Sequence, residues 1–152
     1  MVYGIDEAWL RRVKDYLRSG LGAYLREMGG GDKNAAVIIQ AHPFRHGMTR
    51  EPGTDGAEVF NMHPYHDSRN DSAVDYAREH GLIMTAGSDF HNEGAQGSGL
   101  ILSKVLPADS YGLAGLLRSG DYLFWLEGEV IAPDEVNKKH KISYKKGKFV
   151  RK

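Results

Sequence analysis

After Asp6, apolar residues recur at Leu10, Val13, Tyr16, Leu17, Leu21, Tyr24 and Leu25, mostly three or four positions apart. That spacing predicts one amphipathic helix or two in succession. Gly29, Gly30 and Gly31, followed by Asp32, Lys33 and Asn34, end it in a loop, because a glycine triplet loses too much backbone entropy to stay helical. The run from Ala36 to Ala41, with β-branched Val37, Ile38 and Ile39, predicts a parallel strand buried on both faces and stopped by His42-Pro43. The aperiodic stretch Phe44 to Gly56 is a loop, and Ala57 to Asn61 a short strand. Asn70, Asp71 or Ser72 can cap a helix through Ala73, Val74, Ala77 and His80, with Gly81 as its stop. A strand over Leu82 to Ala86 leads into Gly87-Ser88-Asp89-Phe90-His91 and a glycine-rich loop. Leu100 to Leu102 predicts another strand, Asp109 to Arg118 a helix, and Tyr122 to Leu126 a further strand. The tail from His140 alternates around Lys146-Gly147 as a small terminal hairpin would.

This alternation is expected of an α/β fold with mostly parallel strands, and a ligand then gathers where those strands end. No repeat divides the chain and no linker separates two cores. We therefore expect one unit over residues 1–137 and a basic hairpin or tail over 138–152. The twenty Lys and Arg equal the twenty Asp and Glu, so no global field marks nucleic acid or an anionic membrane as a partner. The absence of cysteine excludes thiolate chemistry and disulfide scaffolds. Residues 1–10 lack the apolar run of a signal peptide and no stretch is long enough to span a bilayer, so the expected location is cytoplasmic.

Three places can carry chemistry. His42 ends the most hydrophobic strand, on the face shared by Ile38 and Gln40; its alternative is a histidine satisfied by a backbone carbonyl. Asp89 and His91, two residues apart after another strand, lie on one side of an extended chain. Their oxygen and nitrogen donors suit zinc, manganese or iron, or else form a turn aspartate beside a surface histidine. Gly87 permits close backbone approach there, and Ser88 can hydrogen-bond a ligand or phosphate oxygen. Glu58 and Asn61 sit on the strand between. Arg45 is within reach of the same strand ends, as a phosphate clamp or a surface ion pair, while His63 and His66, in a Pro-containing loop, are ligands, phosphate donors or solvent residues, the last favoured. The basic tail, Lys138 to Lys152, reads as a solvated hairpin edge rather than a nucleic-acid surface.

Taken in order, Ala41-His42-Pro43, Ala57-Glu58-Val59-Phe60-Asn61, Asn70 with Ala73 and Ala77, and Ala86-Gly87-Ser88-Asp89-Phe90-His91 resemble the carboxyl-terminal half of the polymerase and histidinol phosphatase (PHP) superfamily, over about residues 2–103. The resemblance implies a distorted β/α barrel, related to the TIM type, with metal ions at the strand ends that hydrolyse phosphate esters. His42, Asp89 and His91 match metal ligands, Asp89 and His91 being the catalytic pair. Glu58 and Asn61 match a supporting strand, and Arg45 matches a basic residue that faces substrate phosphate in some phosphatase-like members. The family's opening His-x-His strand and its next ligands have no counterpart upstream of Ala41. A complete barrel of the TIM type takes about 250 residues, so the expectation is a partial barrel. Its expected function is part of a metal-dependent phosphoesterase acting on small phosphorylated metabolites through metal-activated water, incomplete as an isolated chain. A homo-oligomer or a completing polypeptide is the expected partner. The alternative is a non-catalytic remnant serving as an interaction or oligomerisation module; a domain serving a DNA polymerase fits the neutral charge least well.

Overall fold

A computed structural model describes residues 1–8, 11, 36–91, 93 and 98–145. Most of the expected amino-terminal helix, the glycine triplet, most of the glycine-rich loop after His91 and the Lys146-Gly147 turn lie outside the described residues. The fold is mixed α/β. Its strands are β1 (Val2–Tyr3), β2 (Val37–Gln40), β3 (Gly56–Asn61), β4 (Ile83–Gly87), β5 (Gly99–Leu102), β6 (Leu123–Leu126) and β7 (Glu129–Ile131). Three α-helices are described: α1 (Asn70–Glu79), α2 (Ser110–Ser119) and α3 (Lys138–Ser143), with a 3-10 turn at Pro133–Glu135.

β2, β3 and β4 are parallel neighbours, so their carboxyl ends emerge along one edge, and the short β1 pairs antiparallel to β2. β5, β6 and β7 form a second, wholly antiparallel sheet. The expectation of mostly parallel strands is thus corrected: among the described residues only the β2–β3 and β3–β4 pairs are parallel. The two expected strands β5 and β6 pair antiparallel although α2 lies between them, and two short strands the pattern did not announce add further antiparallel pairs. β1 has two residues, too few to show a period, and β7 follows a tight turn at Glu127-Gly128, where both residues have positive φ. Among the described residues the strands make two open sheets and no closed barrel.

The sheets adjoin where Gly99 meets Gly87: a Cβ on Gly99 would fall 2.7 Å from the Gly87 carbonyl oxygen and 2.6 Å from Met62 Cγ. They share one core, in which Val37, Ile39, Val59 and Phe60 join Phe124, Leu126 and Ile131. Phe60 meets Phe124 edge-on at 5.7 Å, and Tyr122 Oη donates to the Met84 carbonyl at 2.6 Å. β2 is buried throughout, as its apolar run requires.

The helix stops follow their local chemistry. Asp109 accepts from the Gly112 amide at 2.8 Å as the cap of α2, and Gly120 leaves it in the left-handed region. Gly81, with φ 62°, turns the chain out of α1. The start of α1 differs from expectation. Its capping position is Arg69, and Asn70, free of capping, turns its side chain to the end of β3. Of the expected hairpin or tail over 138–152, Lys138–Ser143 is instead a short helix, capped by the Asn137 side chain on the amides of Lys139 and His140, and residues 146–152 lie outside the described residues. No helix among the described residues is long and apolar enough to cross a membrane.

Candidate active site

The parallel strands deliver three short segments to one edge. His42 lies two residues beyond β2, Asn61 is the last residue of β3, and Asp89 lies two residues beyond β4. His42 (φ 30°) and Asp89 (φ 49°) both hold the left-handed backbone that non-glycine residues rarely adopt. Such strain costs roughly 1–2 kcal/mol per residue and survives only where its surroundings fix it.

A register shift in β3 makes the site possible. Glu58 pairs with Thr85 and Phe60 with Ala86, so β3 carries one extra residue between them. In a regular strand, positions 58 and 61 face opposite sides. The bulge removes that half-turn, and Glu58 and Asn61 point the same way, with Asn61 Nδ2 donating to Glu58 Oε2 at 2.9 Å. The same carboxylate oxygen accepts from the His42 amide at 3.0 Å. Burial pushes the Glu58 carboxyl above its usual range, against the pull of those two hydrogen bonds. Its other oxygen lies over Gly87, where a Cβ would come within 2.6 Å of it. Gly87 therefore makes room for the Glu58 carboxylate.

Asn61 is fully buried and saturated. Its Oδ1 accepts from Arg45 Nη2 at 2.8 Å, from Ser68 Oγ at 3.0 Å and from the His63 amide at 3.3 Å. Asn70 holds it from behind: the Asn61 amide donates to Asn70 Oδ1 at 3.1 Å, and Asn70 Nδ2 donates to the Asn61 carbonyl at 3.1 Å.

Arg45 links this hub to Asp89. Its Nη2 donates to Asp89 Oδ2 at 2.6 Å and to Ser68 Oγ at 3.2 Å. Partial desolvation pushes the Asp89 carboxyl up, but the hydrogen bond and charge of Arg45 outweigh it and hold Asp89 below its usual range. The second oxygen, Oδ1, lies 3.3 Å from His91 Nε2. His63 is buried, where a solvent residue was expected; its ring lies 4.2 Å from that of exposed His66 and 5.9 Å from that of His91. Burial, then the neighbouring His66, pushes the His63 imidazole down. Burial and then Arg45 do the same to His42, against the attraction of Asp89. His42, Asp89 and His91 thus share one neighbourhood, with Arg45 and His63 among them. Ser88, half-buried, stands at the strand exit between Gly87 and Asp89.

Two buried polar atoms have no hydrogen-bond partner here, His42 Nδ1 and Arg45 Nε. A buried imidazole nitrogen without a partner, beside a carboxylate that bonds a second imidazole, fits part of a divalent-metal ligand set in donor type. Among the described residues no three His, Asp or Glu side chains are arranged to enclose an ion, so the donors present are a fragment of such a set. Asp89 Oδ2 is meanwhile engaged by Arg45. A cation taken up at Asp89 would therefore have to displace the guanidinium or share the carboxylate with it.

The sequence pattern carries no sign of Ser68, offers Asn70 only as a helix cap and as part of the resemblance, and leaves His63 as a ligand, a phosphate donor or a solvent residue. A buried His63 carries no local signature, because its burial comes from the loop folding over the end of β3. Comparison of the chain with protein-family models, with curated proteins and with solved structures gives no match.

Proposed function

We propose that this edge is the substrate side of a PHP-type metal-dependent phosphoesterase site acting on small phosphomonoesters. The observation that carries the reading is that Asp89, 47 residues from His42 in the chain, pairs with Arg45 at 2.6 Å and lies 3.3 Å from His91 at the strand edge that also carries His42. His42, Asp89 and His91 would each give one donor to an ion that further donors must complete, and that ion when bound would supply a water acidic enough to yield hydroxide near neutral pH.

The remaining steps belong to the protein's own groups. Glu58 and Asn61 fix the His42 backbone and the Arg45 guanidinium. Release of Arg45 from Asp89 turns its Nη and Nε donors toward a phosphate, whose oxygens match the planar fork. Ser88 adds a hydroxyl at the same strand exit. His63, kept neutral by burial, can accept or relay a proton beside His91. Three donors bind an ion weakly and build no bridged cluster, so the chain by itself turns over little or no substrate until further donors complete the site.

Calorimetric titration with Mn²⁺ or Zn²⁺, with and without inorganic phosphate, tests this. We expect uptake that Asp89→Asn and His42→Ala each weaken at least tenfold, and phosphate that binds only alongside metal. Uptake unchanged in both variants, or none in the parent chain even with phosphate present, sinks the reading.

A further inference from the structure

The second sheet is two-faced in a way that water does not explain. Along its three strands burial alternates: Ile101, Phe124, Leu126 and Ile131 turn to the core, and Leu100, Leu102, Leu123, Trp125 and Val130 turn outward. The register stacks the outward set into one patch, with Leu100 opposite Trp125, Leu102 opposite Leu123, and Trp125 opposite Val130. An antiparallel sheet facing solvent carries polar residues at those positions. All five here are apolar. The connection leaving β5 carries two more exposed apolar residues, Val105 and Leu106, at 75% and 89%.

We infer that this face is the interface of a homodimer, two copies packing sheet on sheet across a two-fold axis. The exposed apolar area is on the order of several hundred Å², beyond what scattered surface hydrophobics present and of the same order as the ~800 Å² per partner in a stable interface. Sheets pack face to face about 10 Å apart, so a flat patch of Leu, Val and Trp is complementary to itself. A second copy also meets no electrostatic penalty, because the formal net charge is zero. The rim carries both signs, Asp121 and Lys104 at one end and Glu127 at the other, as a surface that meets its own image needs. Such an isologous contact closes on itself and leaves no open end for further growth. The patch is built from side chains of β5–β7 and includes none of the residues of the candidate site, so the inference does not rest on the site chemistry.

Sedimentation equilibrium of the full chain tests it. The expected mass is twice 16.9 kDa, with a dissociation constant that Leu102→Glu or Val130→Lys weakens at least a hundredfold while the far-UV circular dichroism stays unchanged. A parent chain that remains monomeric at about 100 µM overturns the proposal, as does a dimer indifferent to both substitutions. Should either variant fail to fold, hydrogen exchange of the parent chain decides. Protection of residues 100–102 and 123–125 that rises with protein concentration supports the dimer; protection independent of concentration overturns it.

Discussion

Asn61 is where the site's fate is decided residue by residue, because one buried amide satisfies a buried carboxylate through Nδ2 and a guanidinium, a hydroxyl and a backbone amide through Oδ1. Replacing it by a leucine of similar size removes those partners and leaves Glu58 and Arg45 half-satisfied in a dry place. We expect Asn61→Leu to cost about 2–4 kcal/mol in urea unfolding; a loss below about 1 kcal/mol would show that water or another side chain replaces the amide. Gly87 tests the same carboxylate from the other side. An added methyl collides with Glu58 Oε1, which cannot swing away without surrendering its bonds to Asn61 and His42. Gly87→Ala should therefore destabilise by about 1–3 kcal/mol. In a Glu58→Ala background most of that loss should vanish, a coupling read from the double-mutant cycle; additive losses would refute the contact. Asn61 and Glu58 were visible in the sequence as residues near a site. Their shared direction was not, because strict alternation assigns positions 58 and 61 to opposite faces and only the bulge reverses it.

At the scale of elements, the sequence announced what repeats or punctuates locally: the β-branched run of β2, the Asp109 cap and Gly120 stop of α2, the Gly81 exit from α1. It hid what depends on a distant partner. The tail from His140 alternates as a hairpin would, yet Asn137 caps Lys138–Ser143 as a helix and tertiary bonds hold it there. Tyr144, just after α3, donates from Oη to Glu129 Oε2 at 2.8 Å and reaches the Leu126 carbonyl at 3.1 Å, while its own carbonyl accepts from Asn70 Nδ2 at 2.6 Å. His140 and Lys139 face the other oxygen of Glu129. The Tyr144 hydrogen bond, aided by the charges of Lys139 and His140, holds the Glu129 carboxyl below its usual range. Burial, and then the hydrogen bond to Glu129, pushes the Tyr144 hydroxyl up. The signs follow by linkage. Glu129 stabilises the fold above the ordinary carboxylate range, and that contribution is lost as pH falls through its depressed value. Tyr144 holds its proton when the unfolded chain has lost it, so stability declines as pH rises beyond about 10. Tyr144→Phe should flatten the acid limb of the urea midpoint between about pH 5 and pH 3. It should only soften the alkaline limb, because Tyr122, pushed up to about 12 by burial, contributes there too. An acid limb unchanged by the substitution would place the titrating group elsewhere.

Across the whole molecule, two sheets of opposite character behave as one body only if their shared core outweighs the thin seam at Gly87 and Gly99. Strand order along the chain could not show this, since parallel and antiparallel sheets of such short strands read alike until their partners are known. The side chains that cross the seam are large: Phe60 from β3 meets Phe124 from β6 and, at 6.0 Å, Tyr144, and Tyr122 anchors β6 to the carbonyl of Met84 in β4. Phe124 is fully buried at the middle of this contact. Removing its ring opens a cavity against both sheets, and Phe124→Ala should cost about 3–5 kcal/mol, a large part of the roughly 5–15 kcal/mol by which a domain is stable. The consequence concerns cooperativity as much as magnitude. If the core is continuous, the loss falls on both sheets at once. In a Trp9→Phe background, where Trp125 is the remaining tryptophan and reports the second sheet, its fluorescence and the hydrogen exchange of Val37–Ile39 in the first should still give one unfolding free energy. The milder Phe124→Leu keeps the comparison measurable if the alanine variant is unfolded at rest. A Trp125 transition that shifts while the β2 amides keep their protection would mean that the antiparallel sheet unfolds alone, and that the residues around Asp89 depend on β2, β3 and β4 without it.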